Sequence, residues 1–192
     1  MGRIVVTEFV SLDGVMEAPG GGEEYEHGGW TFEIDRGEEG DRFKLDEVFE
    51  AEAQLLGRRT YEGFAAAWPG MTDEAGFAEK MNSMPKYVVS STLQEAEWSN
   101  STVLGGDLVE EIEKLKREVD GVILVAGSAQ LVQGLLENDL IDELRLMVFP
   151  VALGSGKRLF GETAVKKPLK LTDSKTVGAG IAVLTYEPGR PG

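Results

Sequence analysis

The chain has 192 residues, 42% of them hydrophobic, and its 34 acidic against 19 basic side chains give a formal charge of −15. That length suits one large domain with a sizeable core, and the charge sets the molecule against phosphate backbones and anionic lipid, so nucleic acid and membrane surfaces are poor partners. The absence of cysteine and the single histidine, His27, remove disulfides, thiolate sites and a cysteine nucleophile and leave no metal site to expect.

Arg3 to Val10 reads as an opening strand, which Asp13-Gly14 ends as a turn pair. The stretch MGRIVVTEFV is too short and too acidic for a secretory signal, and no apolar run approaches the ~20 residues of a membrane span, which points to a soluble cytoplasmic protein. Residues 18 to 29 form a Gly-rich loop, and Glu38 to Ala53, with Phe43, Val48 and Phe49, reads as a helix. Leu55-Leu56 then runs into GRRTYEGF, where two adjacent arginines stand at what reads as a helix start. Lys86 to Ser90 is a second strand and Thr102 to Leu104 a third. Asp107 caps an amphipathic helix whose Leu108, Ile112, Leu115 and Val119 share a face, with Glu110–Lys114 and Glu113–Arg117 paired at i,i+4. Val122 to Val125 is continuously apolar, the pattern of a strand buried on both faces of a parallel sheet, and a helix from Ser128 to Asn138 follows it. Glu143 to Phe149, Leu169 to Val177 and Ile181 to Tyr186 read as strands, the last two a hairpin through Gly178-Ala179-Gly180. This order gives an α/β fold, a mostly parallel sheet ending in an antiparallel hairpin, with no linker or repeat dividing residues 1 to 192.

Three stretches carry chemistry. Gly57 allows a tight turn before a helix whose free amides and Thr60 hydroxyl suit an anion, and Arg58 and Arg59 add planar charge-assisted bonds to phosphate. The alternative is that both arginines neutralise Glu62 and neighbouring acids. Ser90, Ser91 and Thr92 set three hydroxyls at a strand end, and Ala126, Gly127 and Ser128 set a glycine and a capping serine between a buried strand and a helix. Taken singly each is turn or cap chemistry; together, at one edge of a parallel sheet, they suit a dinucleotide, although no GxGxxG follows a strand.

Ser11-Leu12-Asp13-Gly14, Leu56-Gly57-Arg58-Arg59-Thr60-Tyr61, Val89-Ser90-Ser91-Thr92 and the block from residue 127 to 160 together resemble the dihydrofolate reductase fold. Within it they are most similar to the family that includes the reductase domain of the riboflavin-biosynthesis deaminase-reductase. The resemblance implies a three-layer dihydrofolate-reductase-like fold and an NADPH-dependent reductase that transfers hydride to a small heterocycle, a ribosylaminouracil-like pyrimidine or a pterin. It implies that Arg58 meets the 2′-phosphate of NADPH and that Arg59 and Thr60 address the pyrophosphate. Ser90 and Ser91 then lie on the adenosine side, and Gly127, Ser128 and Leu131 near the central phosphates, with Gly57, Thr92 and Ala126 also counted as cofactor-binding. Riboflavin-pathway reductases tend to carry a glutamate where this chain has Ala126, so the substrate stays open. The proton-donor candidates are Asp13 in the N-terminal loop and Asp41 on the helix before the arginines, with Asp46 as the alternative on that helix. Lys157 and Arg158 are candidates for a substrate phosphate, and the Trp30 loop for closing over a ring-shaped substrate. His27 is expected exposed, Trp68 and Trp98 are expected to pack, and the 128–138 helix with the strand Leu144 to Phe149 is expected to serve a homodimer. Two rival readings are a reductase of an unrelated carbonyl or imine compound and an NADPH-binding protein without turnover.

Overall fold

The computed structural model describes residues 1–22 and 24–190; Glu23, inside the predicted Gly-rich loop, and the last two positions lie outside the described residues. Among them, eight strands form one sheet: β1 (Arg3–Ser11), β2 (Ala51–Gly57), β3 (Lys86–Val89), β4 (Ser101–Leu104), β5 (Val122–Val125), β6 (Glu143–Phe149), β7 (Leu169–Val177) and β8 (Ile181–Pro188). Their order is β4-β3-β2-β5-β1-β6-β8-β7. β1 to β6 run parallel, and β8 and β7 complete the sheet antiparallel, as the sequence implies.

Helices cover both faces. Because side chains alternate along a strand, β1 sends Ile4, Val6 and Val10 to one face and Val5, Thr7 and Phe9 to the other. The first face packs under α4 (Leu108–Glu118) and α5 (Ala129–Glu137), whose Ile112, Leu115, Leu131 and Leu135 join Leu55 and Ile123 in one core. The second carries α1 (Gly37–Glu50), α2 (Arg58–Ala67) and α3 (Phe77–Ser83), with Val48, Tyr61 and Met81 against Val5, Leu56 and Leu124. A third cluster, Trp30, Met147, Phe149, Val177, Ile181 and Val183, closes the β6–β8 end.

Several expectations are corrected. The helix predicted to run to Ala53 ends at Glu50, and the next residues become β2, inserted between β3 and β5 with a register shift between Ala51 and Ala53. Phe49 is accordingly left exposed. Asp107 caps α4 through Glu110 N at 3.1 Å, but the ion pair on that helix is Lys114–Glu118 at 3.9 Å rather than Glu110–Lys114 or Glu113–Arg117. Trp30 is no lid: it is buried, its indole N–H donates to Glu17 O at 2.9 Å, and its ring meets Phe149 edge-on. His27 is half-buried, edge-on to Tyr25 at 5.6 Å. β6 lies inside the sheet, between β1 and β8. The sheet ends in β4 on one side and on the other in β7, which is exposed along most of its length and bulged between Leu171 and Asp173.

Candidate active site

The topology makes a crevice at the carboxyl edge. The chain leaves β1 for α1 on one face and leaves β5 for α5 on the other, so these adjacent strands part at their ends, the switch point where open α/β sheets bind ligands. Pairing between β1 and β5 stops at Val6–Val125, while β1 continues beside β6 to Ser11.

Next to this crevice the turns after β2 and β5 are pressed together. Gly57 N–H donates to Gly127 O at 3.1 Å. A Cβ on Gly57 would stand 2.3 Å from Ser128 Oγ, and one on Gly127, whose φ is +106°, would stand 2.6 Å from Thr60 Oγ1. Only glycine fits at either place. The contact brings the first turns of α2 and α5 side by side. α2 has no side-chain cap, so its leading amides are open to an anion, while Ser128 Oγ accepts from Leu131 N at 3.4 Å at the start of α5. These residues fit a pyrophosphate: two glycines that admit it closely, two helix starts and the Thr60 hydroxyl.

Arg58 pairs with Glu62, as the alternative reading has it, and also reaches the loop after β3. Its Nε binds Glu62 at 2.9 Å and its guanidinium donates to Thr92 Oγ1 at 2.5 Å, so it spans from α2 to the loop after β3 with 46% of its side chain exposed. Arg59, Ser91 and Thr92 are exposed beside it. Ser90 is buried, and its Oγ accepts from Leu93 N at 3.0 Å and Thr92 N at 3.3 Å, which makes it the builder of this turn. Leu131 turns its side chain into the core, leaving its amide at the turn, and Ala126 is half-buried with only a methyl to offer.

The two predicted acids are placed otherwise. Asp13 Oδ1 accepts from Ser11 Oγ at 2.5 Å and Leu153 N at 3.1 Å, and Oδ2 from Gly154 N at 2.8 Å. Those bonds, the Ser11 hydroxyl foremost, hold its pKa down at about 2, so Asp13 is an ionised loop anchor and not a proton donor at neutral pH. Arg158 donates to Asp13 O, and the backbone N–H of Lys157 donates to Glu17 at 2.8 Å, so this segment stitches the loop after β6 to the one after β1 while the Lys157 side chain is exposed. Asp41 is 66% exposed and pairs with Arg36 at 2.9 Å; Asp46 is exposed too. The inward stripe of α1 is Gly40, Phe43, Lys44, Glu47 and Val48, a 3–4 spacing that leaves both aspartates off it. Its acid is Glu47, 2% exposed, accepting from Thr7 Oγ1 at 3.0 Å and Lys44 at 2.7 Å.

Sequence reasoning also missed Glu8. It points to the α4–α5 face of β1, opposite Leu146, with 7% of its surface exposed and Oε1 buried without a hydrogen-bond partner. Burial pushes its pKa up to about 8, with Lys44 lowering it and Glu47 raising it. A lone acid within the apolar alternation IVVTEFV was the signal available. A pocket of about 270 Å³ lies beyond the carboxyl end of β6, lined by Glu26, His27, Trp30 and Val151 among others and by none of residues 57–60 or 126–128.

Comparison with known proteins bears on this edge. Residues 3–183 match the family model described as the RibD C-terminal domain. The chain is 27% identical over 187 residues to the uncharacterized protein YyaP of Bacillus subtilis strain 168, covering 96% of this chain and 94% of that one. It is 29% identical over 179 residues to YwjB of the same strain, covering 93% and 94%. A Shewanella sp. PV-4 crystal structure, named for riboflavin biosynthesis, superposes with a TM-score of 0.79 at 23% identity over 98% of this chain and 99% of that one. Dihydrofolate reductase from Enterococcus faecalis, solved with NADP(H) and RAB-propyl, gives 0.57 at 16% identity over 98% and 97%. The fold is dihydrofolate-reductase-like. No helix among the described residues is long and apolar enough to cross a membrane.

Proposed function

The chain belongs to the RibD C-terminal domain family, and from that premise we propose that it is an NADPH-dependent reductase of a small heterocycle, a pyrimidine or a pterin, with residues 1–192 acting as one cytoplasmic domain. The observation that carries this reading is the glycine-locked junction of α2 and α5, with Arg58 at its rim. Gly57, Thr60, Gly127 and Ser128 would hold the pyrophosphate, Arg58 the 2′-phosphate, and Ser91 and Thr92 the adenosine side, with Arg59 supplying further positive charge. Bound NADPH supplies a hydride; the chain's own tasks are to orient it and to exclude water. Arg58 must exchange Glu62 or Thr92 for phosphate, a favourable trade because a dianion outweighs one exposed carboxylate.

Fluorescence titration tests this. NADPH binds more tightly than NADH, and Arg58→Ala weakens NADPH by about tenfold or more, the worth of one charge-assisted bond, while leaving NADH unchanged. Equal affinities in the wild type remove the reading. Binding without turnover is the second reading, favoured by the Ala126 methyl and by the outward or anchored state of Asp41 and Asp13. Loss of NADPH absorbance with pyrimidine, pterin and carbonyl panels separates the two.

A further inference from the structure

Among the described residues Glu8 and Glu47 each have an Oε1 sealed from water without a hydrogen-bond partner, but Glu47 Oε1 lies 3.8 Å from the Arg145 guanidinium, whereas Glu8 forms no ion pair. Asp13 is committed to three donors, and Glu47 to Thr7 and Lys44. Glu8 is committed to none, and its Oε1 is bare. Its position is equally particular. It stands two residues beyond Val6, the last rung between β1 and β5, where the edge of β1 opens onto the crevice at the level of the Gly127 turn.

The phosphate-binding junction lies across β2 and β5 with Arg58 on the β3 side. A dinucleotide laid along it from Arg58 through Gly127 has its other base beyond β5, and the next strand is β1. We infer that Glu8 senses the redox state of the cofactor: its carboxyl keeps its proton in the free protein and beside NADPH, and releases it to solvent when the cationic ring of NADP+ binds. This rests on the NADPH reading above.

The charges around Glu8 leave the outcome to burial. α1 faces it through the sheet with Lys44 and Glu47, which oppose one another, Lys44 lowering and Glu47 raising its affinity for a proton. β6 sets Leu146 opposite, with Arg145 on the other face bound to Glu143 and Glu50. α5 offers Leu131, Val132 and Leu135 to the shared core and no charge, and Arg158 is tied to Asp13 O. Burial therefore wins, and the carboxyl is neutral at pH 7. A unit positive charge arriving within about 5–6 Å, at an effective dielectric constant near 20, shifts that proton equilibrium about a hundredfold.

Calorimetric titration of the whole protein with NADP+ and with NADPH at pH 7, in phosphate and in Tris, reads the protons released. Both cofactors carry the same phosphates, so phosphate titration cancels between them. The expected result is close to one proton more for NADP+ than for NADPH, and an NADP+ affinity that gains about fortyfold on NADPH between pH 6 and pH 8.5. Glu8→Gln, which mimics the protonated side chain, erases both differences. Carboxyl-13C glutamate labelling of the wild type reads the same event without a variant: one protonated glutamate at pH 7 that ionises with NADP+ and not with NADPH. Equal release by the two cofactors, or a difference that survives in Glu8→Gln, overturns the inference alone; failure of both cofactors to bind sinks the cofactor reading along with it.

Discussion

Lys86, Glu47 and Glu8 are each taken out of water, and the fold compensates them unequally. Lys86 donates to Asn82 O at 2.7 Å and to Met84 O and Ser99 O at 2.9 Å, with its ammonium 4.2 Å from the centre of the Trp98 ring, so every proton of the buried ammonium has an acceptor. Glu8 has no such partner, and its neutrality links stability to pH. Its folded-state pKa, about 8, lies above the ordinary 4.5, so the folded protein holds a proton that the unfolded chain releases. The stability this gives is complete below pH 4.5 and is lost as pH rises through 8, a change on the order of 5 kcal/mol. Denaturant titrations from pH 4 to 9 should show that loss in the wild type and a flatter profile in Glu8→Gln; parallel profiles would mean that Glu8 is ionised throughout. At this scale the arginine segment was legible because Gly57, Arg58 and Thr60 are unusual together in an acidic chain. Asp13 was misread because an Asp-Gly pair looks alike whether it anchors a neighbouring loop or faces a ligand, and only the amides of Leu153 and Gly154, 140 and 141 residues away, decide it.

Among the elements, α4 and β5 were readable from local pattern, one through its cap and its 3–4 apolar spacing, the other through an unbroken apolar run. The α1–β2 boundary was not. Val48, Ala51 and Leu55 keep a helical spacing across the break, whereas Ala51, Ala53 and Leu55 also keep a strand spacing, and pairing with β3 and β5 selects the second. α3, a short helix after Gly76, escaped for want of length. Capping is the testable case: Asp107→Ala strips Glu110 N of its acceptor and should cost about 1 kcal/mol, seen as a lowered thermal midpoint with NADPH affinity unchanged. An unchanged midpoint would mean water caps α4 equally well.

For the molecule as a whole, the sheet order gathers segments 33 residues and more apart, Gly57 to Ser90 to Gly127, onto one rim. The family pattern implied that convergence, and no local signal contained it. On the NADPH reading this rim holds phosphate within a body of charge −15, so encounter and capture should respond oppositely to salt. Raising ionic strength from about 0.01 M to 0.15 M shortens the screening length from roughly 30 to 8 Å, which should speed NADPH association by muting the long-range repulsion and speed dissociation by weakening the Arg58 contact. Stopped-flow measurement of both rates checks this, and an association rate that falls with salt would show the local field dominating from afar. The outermost strand has a consequence of its own. β7 ends the sheet with open backbone groups, a template on which like chains stack, yet it bears Lys170, Asp173 and Lys175 and a kink after Leu171. An incoming strand would have to neutralise those ions and follow that bend, so this border guards the protein against growing into fibres.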